Sequence, residues 1–197
     1  MRLLLWLLIA VLALTVVPAR AQDEPANAVG ASASYVTPKD LEQGVGMGVT
    51  LTHVIATLLS VEFGVERYTF DDRDPGLGVV TGKVRETPLL VTAQIRPQFE
   101  WNPYLGFGAG YYLMSYDQTS EGTTLCDCEL TVDNAVVVHF AAGFDVPVDD
   151  QLTLTIDVRS ASGEADATSR SLSSGVSVSD QVKLDYLKIG IGLKYWF

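Results

Sequence analysis

The side chains of this chain that could carry chemistry are few and widely spaced. Carboxylates stand at Glu62, Glu66 and Asp157, cations at Arg96, Arg159, Lys188 and Lys194, and an imidazole at His139. Being carboxylates does not by itself make Glu62 and Glu66 an acid–base pair, and His139 has no Ser or Cys motif nearby to activate. No phosphate loop, metal-binding helix motif or nucleophile elbow occurs. These residues therefore predict no catalytic site, no cofactor and no enzyme. Cys126-Asp127-Cys128 supplies two thiols and one carboxylate, short of the four ligands a structural zinc requires. In an oxidising compartment a local disulfide between Cys126 and Cys128 is the reading taken, although bridging across one residue is tight; a link to another chain or a metal are the alternatives. Asp71-Asp72-Arg73-Asp74 lacks EF-hand spacing and reads as a solvated loop tip, so no metal site is expected.

What must position these groups is a period of two that recurs down the chain. Apolar residues alternate with small or polar ones in eight stretches, 29–35, 44–52, 59–66, 89–96, 104–113, 136–145, 152–159 and 187–197. Such stretches are about the 9–11 residues that a tilted strand needs to cross a bilayer. The joins 53–58, 99–103 and 146–151 are short, whereas 70–88, 116–134 and 160–182 are long, and only 36–43 is intermediate. Short turns on one side and long loops on the other are the signature of a membrane barrel with extracellular loops. The Ser-rich stretch 160–179 reads as an exposed, mobile loop.

A targeting segment precedes the barrel. Arg2, a mainly apolar run from Leu3 to Val17 and then Ala19-Arg20-Ala21 form a signal-peptide pattern, which predicts cleavage after residue 21 and a mature domain over 22–197. The chain's formal charge is −11, and losing the two arginines of that segment makes it −13. So acidic a chain argues against nucleic acid, whose affinity comes from Lys and Arg neutralising phosphates. After the signal no apolar run approaches a membrane helix, so any span must be built from strands.

The face that carries the bulk decides between a soluble and a membrane barrel. A soluble ligand-binding barrel turns its large apolar side chains inward. Here one parity is apolar in all eight stretches, while the other is Gly, Thr, Ser or charged. Glycine suits a narrow lumen and Leu, Ile, Val and Phe suit lipid, so the fold class is an all-β, eight-stranded antiparallel transmembrane barrel in an up-and-down meander. Glu62, Glu66, Arg96, His139, Asp157, Arg159, Lys188 and Lys194 all take the lumen parity. In so narrow a barrel they are expected to pair across strands and fill the interior rather than line a conduit. Leu90 and Val137 put apolar bulk on that same parity and hint at a pocket toward the extracellular mouth. Trp101 falls beside a short turn, at interfacial-belt depth.

The run Pro103-Tyr104-Leu105-Gly106-Phe107-Gly108-Ala109-Gly110-Tyr111 resembles the fifth strand of the OmpW family of small outer-membrane barrels. Ala142-Gly143-Phe144-Asp145-Val146-Pro147, with Leu154 to Arg159, is similar to that family's sixth and seventh strands, and Ile189 to Phe197 to its last. Ile191, Leu193, Tyr195 and Phe197 also resemble the terminal signal read by the barrel-assembly machinery, besides being lipid-facing groups. The resemblance implies a bacterial outer-membrane location and lipid as the surrounding partner. It further implies a minor channel for small hydrophobic molecules, perhaps releasing them laterally toward lipid, against the alternative of a non-conducting barrel whose extracellular loops bind a partner.

Overall fold

The computed structural model describes residues 26–39, 41–73, 76, 80–97, 99, 101–119 and 128–197. The predicted signal segment and its cleavage point lie outside the described residues. Strand propensity and alternation produce ten segments: β1 (Asn27–Pro38), β2 (Gly44–Ala56), β3 (Leu59–Arg73), β4 (Val80–Ile95), β5 (Pro103–Gln118), β6 (Cys128–Val132), β7 (Ala135–Pro147), β8 (Leu152–Ser171), β9 (Ser177–Lys183) and β10 (Tyr186–Trp196). All pairings are antiparallel, and β10 returns to β1 to close the sheet. Reciprocal backbone bonds between Asn27 and Phe197, at 3.2 and 2.8 Å, seal that join at its base.

The ring contains eight strands because two of them are interrupted. β6 and β7 both pair with β8, and the register slips by one residue between Val132↔Ala167 and Val137↔Gly163. That slip is a bulge at Asp133–Asn134. β9 and β10 also run along β8 in one unbroken register, with Leu184 N donating to Gly163 O at 2.8 Å between them.

The short joins match the sequence reading, but the long ones are shorter than predicted. β3 and β4 extend well into 70–88, β5 and β6 into 116–134, and 160–179 is not a mobile loop but the body of the β8–β9 hairpin. Above the apolar band the outward parity needs only to be compatible with water, so Arg67, Thr69 and Asp71 replace Val and Phe there and the apolar signal vanishes. The inward parity persists, as Tyr68 and Phe70 on β3 and as Ala161, Gly163, Ala165 and Ala167 on β8. The Asp71-Asp72-Arg73 run is likewise the end of β3 rather than a loop tip, and Asp74 lies outside the described residues.

The two faces divide as the parity requires. Met47, Leu105 and Val136 are about 70% exposed on the outside (71%, 68% and 68%), whereas Tyr112 and Val137 are wholly buried. Glycine is demanded where strands crowd the lumen. A Cβ on Gly108 would stand 2.6 Å from His139 Nε2 and closer still to the Val91 carbonyl, a backbone atom that cannot step aside. Gly108→Ala is expected to destabilise the barrel by about 1–3 kcal/mol, the usual cost of overpacking, seen as a lower urea midpoint for loss of heat-modifiable gel migration.

Candidate functional site in the barrel lumen

The lower half of the lumen is ionic. Four carboxylates, Glu62, Glu66, Asp145 and Asp157, meet four cations, Arg96, Arg159, Lys188 and Lys194. Arg159 bridges both glutamates, with Nη1 2.8 Å from Glu66 Oε1 and Nη2 3.7 Å from Glu62 Oε1. Lys188 Nζ lies 3.0 Å from Glu66 and 3.3 Å from Asp157. Lys194 Nζ lies 2.9 Å from Glu62 and 3.7 Å from Asp145. At the base, Arg96 Nη1 donates to Asp145 Oδ2 at 2.6 Å, and its other nitrogens reach Ser60 and Gln94. His139 is tied by Nε2 to Thr92 Oγ1 at 2.8 Å and stands apart from the ion pairs.

Pairing is what makes this cluster tolerable, since an isolated ion in such a setting costs several kcal/mol. The space remaining among these side chains is ≈ 20 Å³, room for about one water. Tyr104 completes the layer, its ring carrying Arg96 at 4.7 Å and Lys194 at 5.4 Å.

Above the ion pairs the lumen changes character. Tyr68, Tyr112 and Tyr186 form a floor of packed rings, with Tyr68 and Tyr186 edge to face at 5.8 Å. Tyr68 donates to Glu66, and the hydroxyls of Tyr112 and Tyr186 bond each other. Packed with these rings are Val36, Phe70, Val84, Leu90, Val137 and Leu184, all buried, with Phe70, Val84 and Leu184 on their extracellular side and Leu90 and Val137 level with Gly110, toward the ion pairs. Leu90 and Val137, the two apolar residues that the alternation left on the lumen side, belong to this cluster. The tyrosines and Asp145 were legible as inward positions once the parity was extended, but charge and chemistry alone did not single them out.

Beside this apolar half the wall is incompletely hydrogen-bonded. β5 pairs with β7 from Pro103↔Phe144 up to Tyr112↔Ala135. Among the described residues no backbone pairing joins β5 to β6 above that point. Instead Asn134, on the bulge, accepts from Met114 N through Oδ1 at 3.0 Å. Met114 and Val132, on the two lips, pack against the apolar cluster.

Glu86 sits on the extracellular extension of β4. Its strand neighbour Arg85 pairs with Asp117 on the outer face, which marks this level as above the apolar band. Glu86 is 4% exposed, and its Oε2 has no hydrogen-bond partner among the described residues. Burial pushes its carboxyl up to about 7. The folded chain thus holds this proton more tightly than the unfolded chain. The group's stabilising contribution is complete below the unfolded carboxyl range and lost as pH rises through about 7. Urea midpoints are expected to fall between pH 5 and pH 8, and Glu86→Gln is expected to flatten that fall.

The remaining predicted residues lie elsewhere. Ile191, Leu193, Tyr195 and Phe197 face outward and are half exposed. Trp101 is exposed beside the β4–β5 turn and stacks on Phe99. Cys128 opens β6, and Cys126 lies outside the described residues.

An OmpW family model matches residues 7–197. The chain belongs to the OmpW family. It is a bacterial outer-membrane protein that crosses the membrane with strands. Among solved structures it is similar to OprG of Pseudomonas aeruginosa, with TM-score 0.72 and 17% identity over 88% of this chain and 97% of that one. It is similar to AlkL, determined in lipid bilayers, with TM-score 0.63 and 19% identity over 91% and 94% of the two chains. Outer membrane protein W of E. coli matches with TM-score 0.60 and 16% identity over 90% and 100%. At these identities the structures establish the shared barrel. No curated protein matches the chain in sequence.

Proposed function

We propose that this OmpW-family barrel passes small hydrophobic molecules into the outer membrane. They enter the apolar upper lumen and leave sideways between β5 and β6 rather than crossing to the periplasm. The observation that carries this reading is the division of the lumen at the tyrosine floor. Apolar molecules gain nothing from the ionic layer below, where solvation of eight paired charges would have to be disturbed. They gain from the apolar layer above, whose side boundary includes a stretch between β5 and β6 with no backbone pairing among the described residues. The break starts one step above Tyr111 and Val136, which both face outward at the top of the apolar band, so a molecule leaving there emerges at the outer edge of the membrane.

No catalytic step is proposed, since the carboxylates of the ionic layer are paired with Arg and Lys and the His139 imidazole is bonded to the Thr92 hydroxyl. A second reading, a surface-interaction barrel, draws support from Leu172, Val176 and Val178, which are exposed at the tip of the β8–β9 hairpin.

Conductance of the refolded mature chain in a planar bilayer tests the proposed closure below. Folded barrel, verified by heat-modifiable migration, is expected to give no discrete openings. Large and regular openings would show that ions pass the charged layer and would overturn the sideways route.

A further inference from the structure

We infer that the periplasmic half of the lipid-facing wall carries a seat for one phospholipid acyl chain. Along β4, β5, β7 and β8 the outward residues Ile95, Leu105, Ala142 and Val158 lie side by side in one cross-strand row. Ala142 is the small member of that row, and the bulk of its neighbours leaves a groove of ≈ 490 Å³ over it. The row above holds Phe107 and Phe140, in contact at 5.0 Å between ring centroids. The row below holds Phe144, whose ring meets Trp101 edge to face at 6.1 Å.

The floor is thin as well as apolar. Gly143 adds no side chain, and an added Cβ there would stand 2.7 Å from the Tyr104 ring. Tyr104 therefore closes the groove from behind while its ring carries the lumen cations Arg96 and Lys194.

The occupant follows from where the groove lies. It is continuous with the membrane face of an outer-membrane barrel, so the material against it is hydrocarbon, and a lining of aliphatic and aromatic groups leaves water no partner. A flexible alkyl chain can follow such a depression, gaining dispersion contacts that an unfilled groove forgoes. The groove opens beside the short β4–β5 turn, where Phe99 and Trp101 stack at 6.2 Å. Aromatic rings of this kind settle at headgroup depth, which places the glycerol end of the lipid beside them and assigns it to the periplasmic leaflet.

Photolabelling tests this. The mature chain is refolded into phosphatidylethanolamine vesicles holding a trace of phosphatidylcholine with a diazirine on its acyl chain, then irradiated, digested and read by mass spectrometry. Adducts on the peptides containing Leu105, Ala142 and Phe144 are expected to exceed those around Ala31 and Val49, at similar depth on another part of the wall, about tenfold, the ratio for about 1.4 kcal/mol of preference. Ala142→Phe should abolish the excess, and Ala31→Phe should leave it. Uniform labelling of the wild type would overturn the seat, a result that needs no variant to fold. An excess that survives in folded Ala142→Phe would also overturn it, as would Ala142→Cys chains that disulfide-link efficiently in the membrane, because a second copy would then be the occupant.

Discussion

Glu66→Ala is expected to remove about 3–5 kcal/mol of barrel stability, the cost of leaving buried partners uncompensated. Glu66 holds Arg159 at 2.8 Å and Lys188 at 3.0 Å and accepts from Tyr68, so its loss strands two cations and a phenol at once. Asp157 still faces Lys188, but Arg159 keeps only the 3.7 Å approach to Glu62. Glu66→Gln should cost less, because it preserves acceptors for the donors while removing the charge. The urea dependence of heat-modifiable migration measures both. Equal midpoints for wild type and Glu66→Ala would mean that water already compensates these cations and that the lumen is wetter than its ≈ 20 Å³ of free space implies. The same variant is expected to show ion conductance that the wild type lacks.

Leu90→Asp is the second large effect. Leu90 is 3% exposed and packs beside Gly110 and Gly64 at the inner end of the apolar cluster. A carboxylate there has no cation assigned to it, and the four cations below already have four acidic partners. Several kcal/mol of destabilisation are expected from the unpaired ion, together with at least about a tenfold fall in uptake of hydrophobic molecules, the equivalent of about 1.4 kcal/mol at the apolar layer. Leu90→Gln, which is polar but uncharged, should fold more readily and still reduce uptake. Uptake undiminished in folded Leu90→Gln would remove the apolar cluster from the route.

The sequence reading and the structure agree most closely where one physical demand acts on both parities of a strand. Within the apolar band lipid selects Val, Leu and Phe outside while a narrow lumen selects Gly, Thr and charge inside, so residues such as Met47 and Gly108 could be assigned a side directly. Beyond the band that double demand ends. Arg85, Asp71 and Ser162 are as compatible with a strand's outer face as with a loop, which is why the extensions of β3, β4 and β8 were not legible. The wrong assignment of 160–179 has the same origin, because Ala165 and Ala167 are too small to give a clear alternation.

Within the lumen, parity put the charged groups on one side but could not pair them. Lys188 meeting Glu66 and Lys194 meeting Glu62 depend on closure of the ring, which brings β10 across from β3. The tyrosine floor is not legible in the sequence, because Tyr68, Tyr112 and Tyr186 are far apart in the chain and each resembles an ordinary belt aromatic. The Asn134 bulge could not be found by alternation at all, since alternation stops where a register slips.

The rate at which a hydrophobic fluorophore enters whole cells through the outer membrane tests the account most directly. Three strains are compared: one expressing the wild type, one expressing Leu90→Gln at equal folded abundance, and one carrying no copy. Clearly faster entry is expected with the wild type than in either of the others, with no accompanying rise in permeability to ions or sugars. Equal rates in all three would contradict it and leave the barrel's exposed hairpin tip as the better-supported site of function.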